Sequence, residues 1–564
     1  MRRAAVVALT VVLALSGCVT VPTSGPVERH SPVQQQANPG VDIAPVPPAP
    51  GASPGLIVEG FLHAMATYQP GYAVARQFLT TGAAQAWQPE SGVEIYAAGY
   101  PPQASDSGVV LTAPLAGTLD PQGSFTVGGT VYHHDFGLVR DAESQWRISR
   151  PPRGLLVSQS LFGSTWVRAD VCLWDVTGNW LVPDPRFVQI GKPRLAATVR
   201  AVLGGPSSLA SAAYRRPVTG LQASAVALGS GGVVTVDIAG ATDTLDMDGR
   251  RRLAAELVWS LTSLKGVTGV RVRSHGVSWE LGGRDGVLTT AEFAEGAPVP
   301  ANPDDGVYLL RQGTVQRAAW ADPTASPRPL PGAGAPPRAL AVRTDGEVVA
   351  LVTDDGTEVR SVVVRDGVTK VELTGERATG VRWTRQGELW ALLDRTRGRR
   401  LRAVKDDQEV PVSTEGLPIG QIRSFAPAPD GVRVALVIEN QGRTSLGVAA
   451  VVRTSAGFRF VGWRELAPSA WAPTGQAPID VGWTGPAGLL VLVGGSSSAR
   501  VINVDSEGAV ATEVRPNDAT ALVQLVAASS GRAVLRGPDG QTWRFVGGLT
   551  WEPWLNQVDA VALP

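Results

Sequence analysis

Few side chains in this sequence are of types that do chemistry, and their spacing limits what they can do. The 564 residues contain two cysteines, Cys18 and Cys172. A disulfide framework needs an even set of cysteines at close spacing, so none is expected. Cys172 sits in the apolar run Val171-Cys172-Leu173-Trp174 and reads as a small buried hydrophobe. The five histidines, His30, His63, His133, His134 and His275, are scattered. None pairs at metal-ligand spacing. Adjacent His133 and His134 point to opposite faces of a strand, as structural or surface groups. No Gly-x-Ser-x-Gly elbow presents a nucleophile. Asp243, Asp246 and Asp248-Gly249 resemble the start of a calcium loop. The twelfth position counted from Asp246 is Leu257, however, where such a loop needs a bidentate Glu. Asp246 or Asp248 is expected to cap a helix instead. Gly332-Ala333-Gly334 lacks a third glycine and lies among prolines, so it is no dinucleotide loop. The expectation is a chain with no catalytic residues, no metal site and no cofactor, hence not an enzyme.

Cys18 is the exception, because of what precedes it. Met1-Arg2-Arg3 is followed by an apolar run from Ala4 to Leu15. That run is shorter than the ~20 residues needed to cross a bilayer core, and it has the form of a secretory signal peptide. It ends Leu15-Ser16-Gly17-Cys18, which resembles the bacterial lipobox. The resemblance implies an S-diacylglycerol and an N-acyl group (palmitate-type chains) on Cys18. It also implies cleavage before Cys18 and a cell-membrane location on the extracytoplasmic face. Two acyl chains anchor stably where one does so only marginally. Lys+Arg and Asp+Glu balance at 50 each, and no basic stripe is present, so nucleic acid is not an expected partner.

The elements behind Cys18 divide into parts. Residues 1–17 are the signal peptide. Residues 18–54 are the lipidated Cys and a Pro-rich tether, with Pro22, Pro26, Pro32, Pro39, Pro45, Pro47, Pro48, Pro50 and Pro54 blocking helix and sheet. Residues 55–158 read as a small α+β domain: Ile57, Phe61, Leu62 and Met65 share a helical face, and Ala75, Phe78 and Leu79 mark a second helical piece. Strand-like runs at Val109–Leu111, Gly123–Tyr132, Phe136–Val139 and Trp146–Ile148 follow. This order is similar to cone-shaped NTF2-like domains. Residues 159–290 contain a strand with a Gly178-Asn179 turn, a helix ending at Leu203-Gly204-Gly205-Pro206, and the strand Val234-Thr235-Val236-Asp237. They continue with a helix carrying Leu253, Leu257, Leu261-Thr262 and Leu264, then a strand at Val267–Val272. This order resembles the GerMN module, an interaction module outside the membrane. Arg250, Arg251 and Arg252 read as a solvated helix face, or as one that meets an acidic partner surface.

Residues 300–564 repeat. Asp345-Gly346-Glu347-Val348-Val349-Ala350-Leu351 recurs as Gln386-Gly387-Glu388-Leu389-Trp390-Ala391-Leu392 and as Asp430-Gly431-Val432-Arg433-Val434-Ala435-Leu436. Shorter matches begin at Gly488 and Gly531. A period of roughly 40 to 45 residues with Gly turns is the signature of β-propeller blades. Five repeats, an initial strand Val307–Leu310 and a closing tail at Val558-Asp559-Ala560-Val561 predict about six blades. Trp383, Trp463 and Trp483 precede blade turns and read as inter-blade packing, with a sugar-stacking platform as the alternative. Trp551 and Trp554 are harder to place.

The fold class is thus multidomain α+β and all-β: an NTF2-like α+β domain, a GerMN-type α+β domain and a C-terminal β-propeller of about six blades. Lipobox, tether and these three domains, in this order, resemble the actinobacterial LpqB lipoprotein family. The resemblance implies an accessory protein of the MtrA–MtrB two-component system. Its partners would be the extracytoplasmic domain of a sensor kinase like MtrB and the lipid bilayer through acylated Cys18. Its role would be modulation of signalling tied to cell division and envelope homeostasis. The rival reading is an envelope glycan-binding or glycan-processing propeller protein.

Overall fold

A computed structural model describes residues 45–564 except 106–107, 217, 300–304, 323, 395–399, 467–475, 495–498, 515, 517–520 and 549. The chain divides into Met1–Gln36 and Ala37–Pro564, and all described residues belong to the second unit. No helix among them is long and apolar enough to cross a membrane. The multidomain α+β and all-β class expected from the sequence is what the chain adopts.

The first domain opens with helix Pro54–Ala66. Ser53 caps it, its side chain accepting from Leu56 N–H, and Pro54 occupies the first turn, where its missing N–H costs nothing. Ile57, Phe61, Leu62 and Met65 are all buried. They pack onto a curved sheet centred on Gly108–Leu119, which pairs with Val93–Tyr96, Gln103–Ser105, Phe125–Val127 and Val131–Asp135. Val93–Tyr96 also pairs in parallel with Leu155–Ser158. Two local expectations change. The second helical piece covers only Ala73–Arg76, because Thr80 caps the next helix through Ala83 N–H and Leu79 instead bridges Ile148. The strand expected at Gly123–Tyr132 is broken at Gly128. A Cβ there would lie 2.1 Å from the Leu115 carbonyl oxygen, so only glycine fits the crossing.

The second domain begins with a two-stranded ribbon, Trp166–Trp174 against Leu181–Gln189, in unbroken register from Trp166↔Gln189 to Trp174↔Leu181. Every residue of Leu181–Gln189 is buried. Helix Arg194–Gly204 ends at Gly205, φ 81°, a positive-φ backbone that glycine adopts without strain. Strand Val233–Gly240 pairs antiparallel with Leu221–Leu228 and in parallel with Gly269–Ser274. The parallel pair is joined by helix Met247–Thr262, capped by the Asp246 carboxylate on Gly249 N–H at 2.7 Å. The cap reading of the aspartate run is therefore correct.

Among the described residues, six four- or five-stranded sheets form the propeller. Blades 2 to 6 start on inner strands Ala339–Val342, Ala378–Trp383, Gln421–Pro427, Ala477–Trp483 and Gln524–Ala527. Blade 1 is closed by both ends of this domain. Its inner strand, Val558–Ala562, pairs antiparallel with Gly306–Arg311. Trp483 is buried and donates to the Ala426 carbonyl at 2.9 Å, which ties blade 5 to blade 4. Trp551 is likewise buried and bonds the Val514 carbonyl. Trp383 and Trp463 are half-buried. Trp554 lies edge-on to Trp320 at 6.0 Å. The repeated tryptophans serve packing.

Candidate interaction sites and an interdomain interlock

Leu15, Ser16, Gly17 and Cys18 lie outside the described residues, as does His30. Cys172 is buried, its own N–H bonded to Ser260 Oγ at 2.8 Å. Burial pushes its thiol well up, with Asp170 adding to the effect, so it stays protonated and unreactive. His133 bonds Thr112 Oγ1 and His134 bonds the Arg150 carbonyl, each at 2.9 Å. Burial holds the His134 imidazole below its ordinary value. Among the described residues no group of three or more His, Cys, Asp or Glu is placed to hold a metal.

The three arginines of the second domain are not a free face. Arg250 stacks over Trp279, Arg251 pairs with Glu295 at 3.0 Å, and Arg252 pairs with Asp248 at 2.6 Å while donating to the Gly178 carbonyl. Arg251 is exposed and Arg250 and Arg252 are half-buried, so this face is partly solvated and partly packed within its own domain. In the same helix Glu256 accepts from Trp174 N–H at 3.2 Å. Burial raises its pKa to about 8, against that hydrogen bond and against Arg215 and Arg252. Between its ordinary value near 4.5 and about 8, the folded chain keeps a proton that the unfolded chain gives up. Stability therefore falls as pH rises through that window. Glu256→Gln is expected to remove this loss: its Tm should exceed the parent's above pH ~8 and converge with it below pH ~4.5. Parallel Tm-against-pH curves for the two proteins would refute the assignment.

The second domain joins its neighbours through buried polar groups. Toward the first domain, Tyr72 donates to Gln189 Oε1 at 2.6 Å, and Gln189 Nε2 donates to the Met65 and Ala66 carbonyls, both at 3.0 Å. Toward the propeller a chain of charges crosses the boundary. Arg168 pairs with Asp170 at 2.7 Å and reaches Glu507 of blade 5 at 3.5 Å. Glu507 also pairs with Arg464 of blade 4 at 3.3 Å. Arg433 of blade 4 pairs with Asp430 at 2.9 Å, donates to Ser506 Oγ at 3.2 Å and bonds the Pro486 carbonyl. Burial and the nearby Glu507 hold the Asp505 carboxyl above its usual range. Only about 30 Å³ of free space remains beside Asp184, Tyr214, Arg433 and Glu507. Val432, Ala450 and Val452 of blade 4 share one apolar cluster with the core of the second domain. At the tip of the ribbon, Arg385 lies 3.8 Å over the Trp180 ring and donates to the Ala297 carbonyl. Burial lowers its pKa to about 10, so it remains a cation at neutral pH. These contacts can do no bond chemistry. They fix three domains as one platform.

Sequence reasoning missed this interlock. Its only local signal is the Pro429-Asp430-Gly431 turn, where Asp430 accepts from Val432 and Arg433 N–H at 2.7 and 2.9 Å.

Three family models match the chain in the order of its domains. They are Lipoprotein LpqB, N-terminal domain, over residues 47–163, Sporulation and spore germination over 172–278, and Lipoprotein LpqB beta-propeller domain over 320–555. A Lipoprotein LpqB of Cutibacterium acnes is 28% identical across 100% of this chain and 99% of its own length. The chain belongs to the LpqB lipoprotein family. Another LpqB relative, from Streptomyces coelicolor, is 29% identical across 97% of both chains. Among solved structures, TolB from Acinetobacter baumannii aligns with 54% of this chain and 84% of its own, at 12% identity and a TM-score of 0.36. The LpqB relatives are named as lipoproteins, not as enzymes.

Proposed function

We propose that this LpqB-family chain is a lipid-anchored accessory protein on the extracytoplasmic face of the cell membrane. It binds the extracytoplasmic domain of a sensor histidine kinase of the MtrB kind and so modulates a two-component system tied to cell division and envelope homeostasis. The observation that supports this reading is the interlock of Arg168, Arg433, Arg464 and Glu507. A platform held rigid across three domains meets a partner without a large ordering cost. The anchor raises the effective concentration of a partner in the same membrane, so a modest interface suffices. No residue is assigned to the kinase contact.

Cys18→Ser tests the anchor. The variant is expected in the soluble fraction, with loss of its effect on kinase output in cells. A soluble variant with full effect would sink the tether argument. Purification of the parent protein from membranes, with mass spectrometry of what accompanies it, tests the partner. A kinase is the expected companion; bound glycan with no kinase would favour the envelope-glycan reading.

A further inference from the structure

The sheet of the second domain has a long free edge. Strand Leu221–Leu228 is eight residues long and outermost in that sheet. Among the described residues its backbone pairs only with Val233–Gly240, so about half of its N–H and C=O groups face outward without a strand partner. Gln222, Ser224, Ala225, Ala227 and Leu228 are exposed. The strand holds no charged residue and no proline, the usual means of keeping an edge from recruiting another strand. The propeller does protect its edges. Its outermost strands carry Arg328, Lys370, Glu409, Glu513 and Glu552 in blades 1, 2, 3, 5 and 6. Blade 4 ends on the two-residue strand Val412–Ser413.

The two faces of Leu221–Leu228 decide what fits its edge. Val234, Val236 and Ile238 of the neighbouring strand are buried. They are the register partners of Leu228, Val226 and Ala223. Those three residues therefore share the inner face with Leu221, which lies opposite Gly240. Leu221, Ala223 and Val226 pack against the core of the second domain, whereas Leu228 is 57% exposed. Gln222, Ala225 and Ala227 lie on the outer face. Ser224 is the extra residue of a β-bulge between Ala223 and Ala225, and its hydroxyl donates to the Asp237 carbonyl at 3.1 Å.

Because of the bulge, the inner and outer positions follow nearly the same order from either end of the strand. An antiparallel copy centred between Ser224 and Ala225 sets Leu221 of one chain against Leu228 of the other. It likewise sets Ala223 against Val226 and Gln222 against Ala227, inner on inner and outer on outer. Two-fold contact also brings residues near the axis close to their own counterparts. A charge there would meet its like, and this strand has none.

We propose that this edge pairs with the same edge of a second copy of the chain, joining two four-stranded sheets into one across a two-fold axis. The pairing satisfies the outward backbone groups and covers the exposed Leu228 of each chain. A single strand pair is a small interface beside the ~1,200 Å² of a stable one, so the dimer is weak in dilute solution. Copies held in one membrane meet at a higher effective concentration. This contact does not depend on the kinase reading.

Sedimentation velocity of the full chain in nonionic detergent, at rising protein concentration, tests it. The parent is expected to pass from monomer to dimer. Ala225→Lys and Ala225→Glu each place like charges beside the axis and should raise the concentration needed for half-dimer about tenfold. An equal mixture of the two should recover dimer, because opposite charges then meet. Gln222→Lys with Ala227→Lys in one chain serves if an Ala225 variant loses its native near-UV circular dichroism. Register is read separately: chains carrying Gln222→Cys and chains carrying Ala227→Cys, mixed and oxidised, should cross-link to each other more than to themselves. A parent that stays monomeric, a dimer unchanged by Ala225→Lys, or a mixture no more dimeric than its components would overturn the edge pairing. Self-linking as strong as cross-linking would overturn the register.

Discussion

A chain ending at Gln557 is expected to lose its closed propeller. The deleted segment contains the inner strand of blade 1, whose register is Tyr308↔Ala562, Leu309↔Val561 and Leu310↔Ala560. Val558, Ala560, Val561 and Ala562 are all buried. Burial of a valine side chain contributes roughly 1.5–3 kcal/mol, so the direct loss is several kcal/mol. That is a large fraction of the ~5–15 kcal/mol that stabilises a typical protein. Geometry adds to it. The strand Gly306–Arg311 becomes an open edge, and its Val307, Tyr308 and Leu309 side chains, fully buried in the intact protein, meet water. A long apolar edge strand recruits other chains. Size-exclusion chromatography should show aggregate or an expanded species, and near-UV circular dichroism should lose its tryptophan signal. A monodisperse truncated protein with native near-UV signal would refute the closure.

That closing strand was legible in the sequence because it completes a repeat. So were the blade turns. Gly346, Gly387, Gly431 and Gly531 all have φ between 74° and 79°, the backbone that favours glycine. The repeat was misaligned by one residue in blade 5. There Thr484 N–H bonds the Gly488 carbonyl, so Ala487 holds the place of the turn glycine and Gly488 begins the strand. The apolar run after it, Leu489 to Leu492, carried the match in spite of that. The interval from Gly431 to Gly488 exceeds the period because strands Arg443–Thr454 and Gly457–Glu465 of blade 4 are extended. Contacts between distant charged residues left no comparable trace. Arg168, Arg433, Arg464 and Glu507 obey no period, because an ion pair depends on where the folded chain brings two side chains and not on their spacing. For the same reason the contact of Arg252 with the Gly178 carbonyl, 74 residues away in sequence, left no trace in the spacing.

Arg433→Met is expected to destabilise the folded protein by about 3–5 kcal/mol, the cost of leaving a buried charge without its partner. Arg433 and Asp430 are 7% and 0% exposed at their side chains. Burial disfavours the charged guanidinium, but Asp430 and Glu507 outweigh it and hold its pKa above the ordinary value. Methionine fills much of the volume and keeps the contact with the Trp483 ring, which Arg433 covers at 5.0 Å. The packing change is therefore small and the electrostatic change is large. Glu507 retains Arg464 and Arg168; Asp430 keeps only N–H donors. Arg433→Met with Asp430→Asn should recover much of the loss at neutral pH, because no uncompensated charge remains buried. Unfolding of the single and double variants, followed by tryptophan fluorescence in urea, reads both effects. A deficit under ~1 kcal/mol would mean that the pair behaves as a surface ion pair and that the charges at the domain boundary do not lock it.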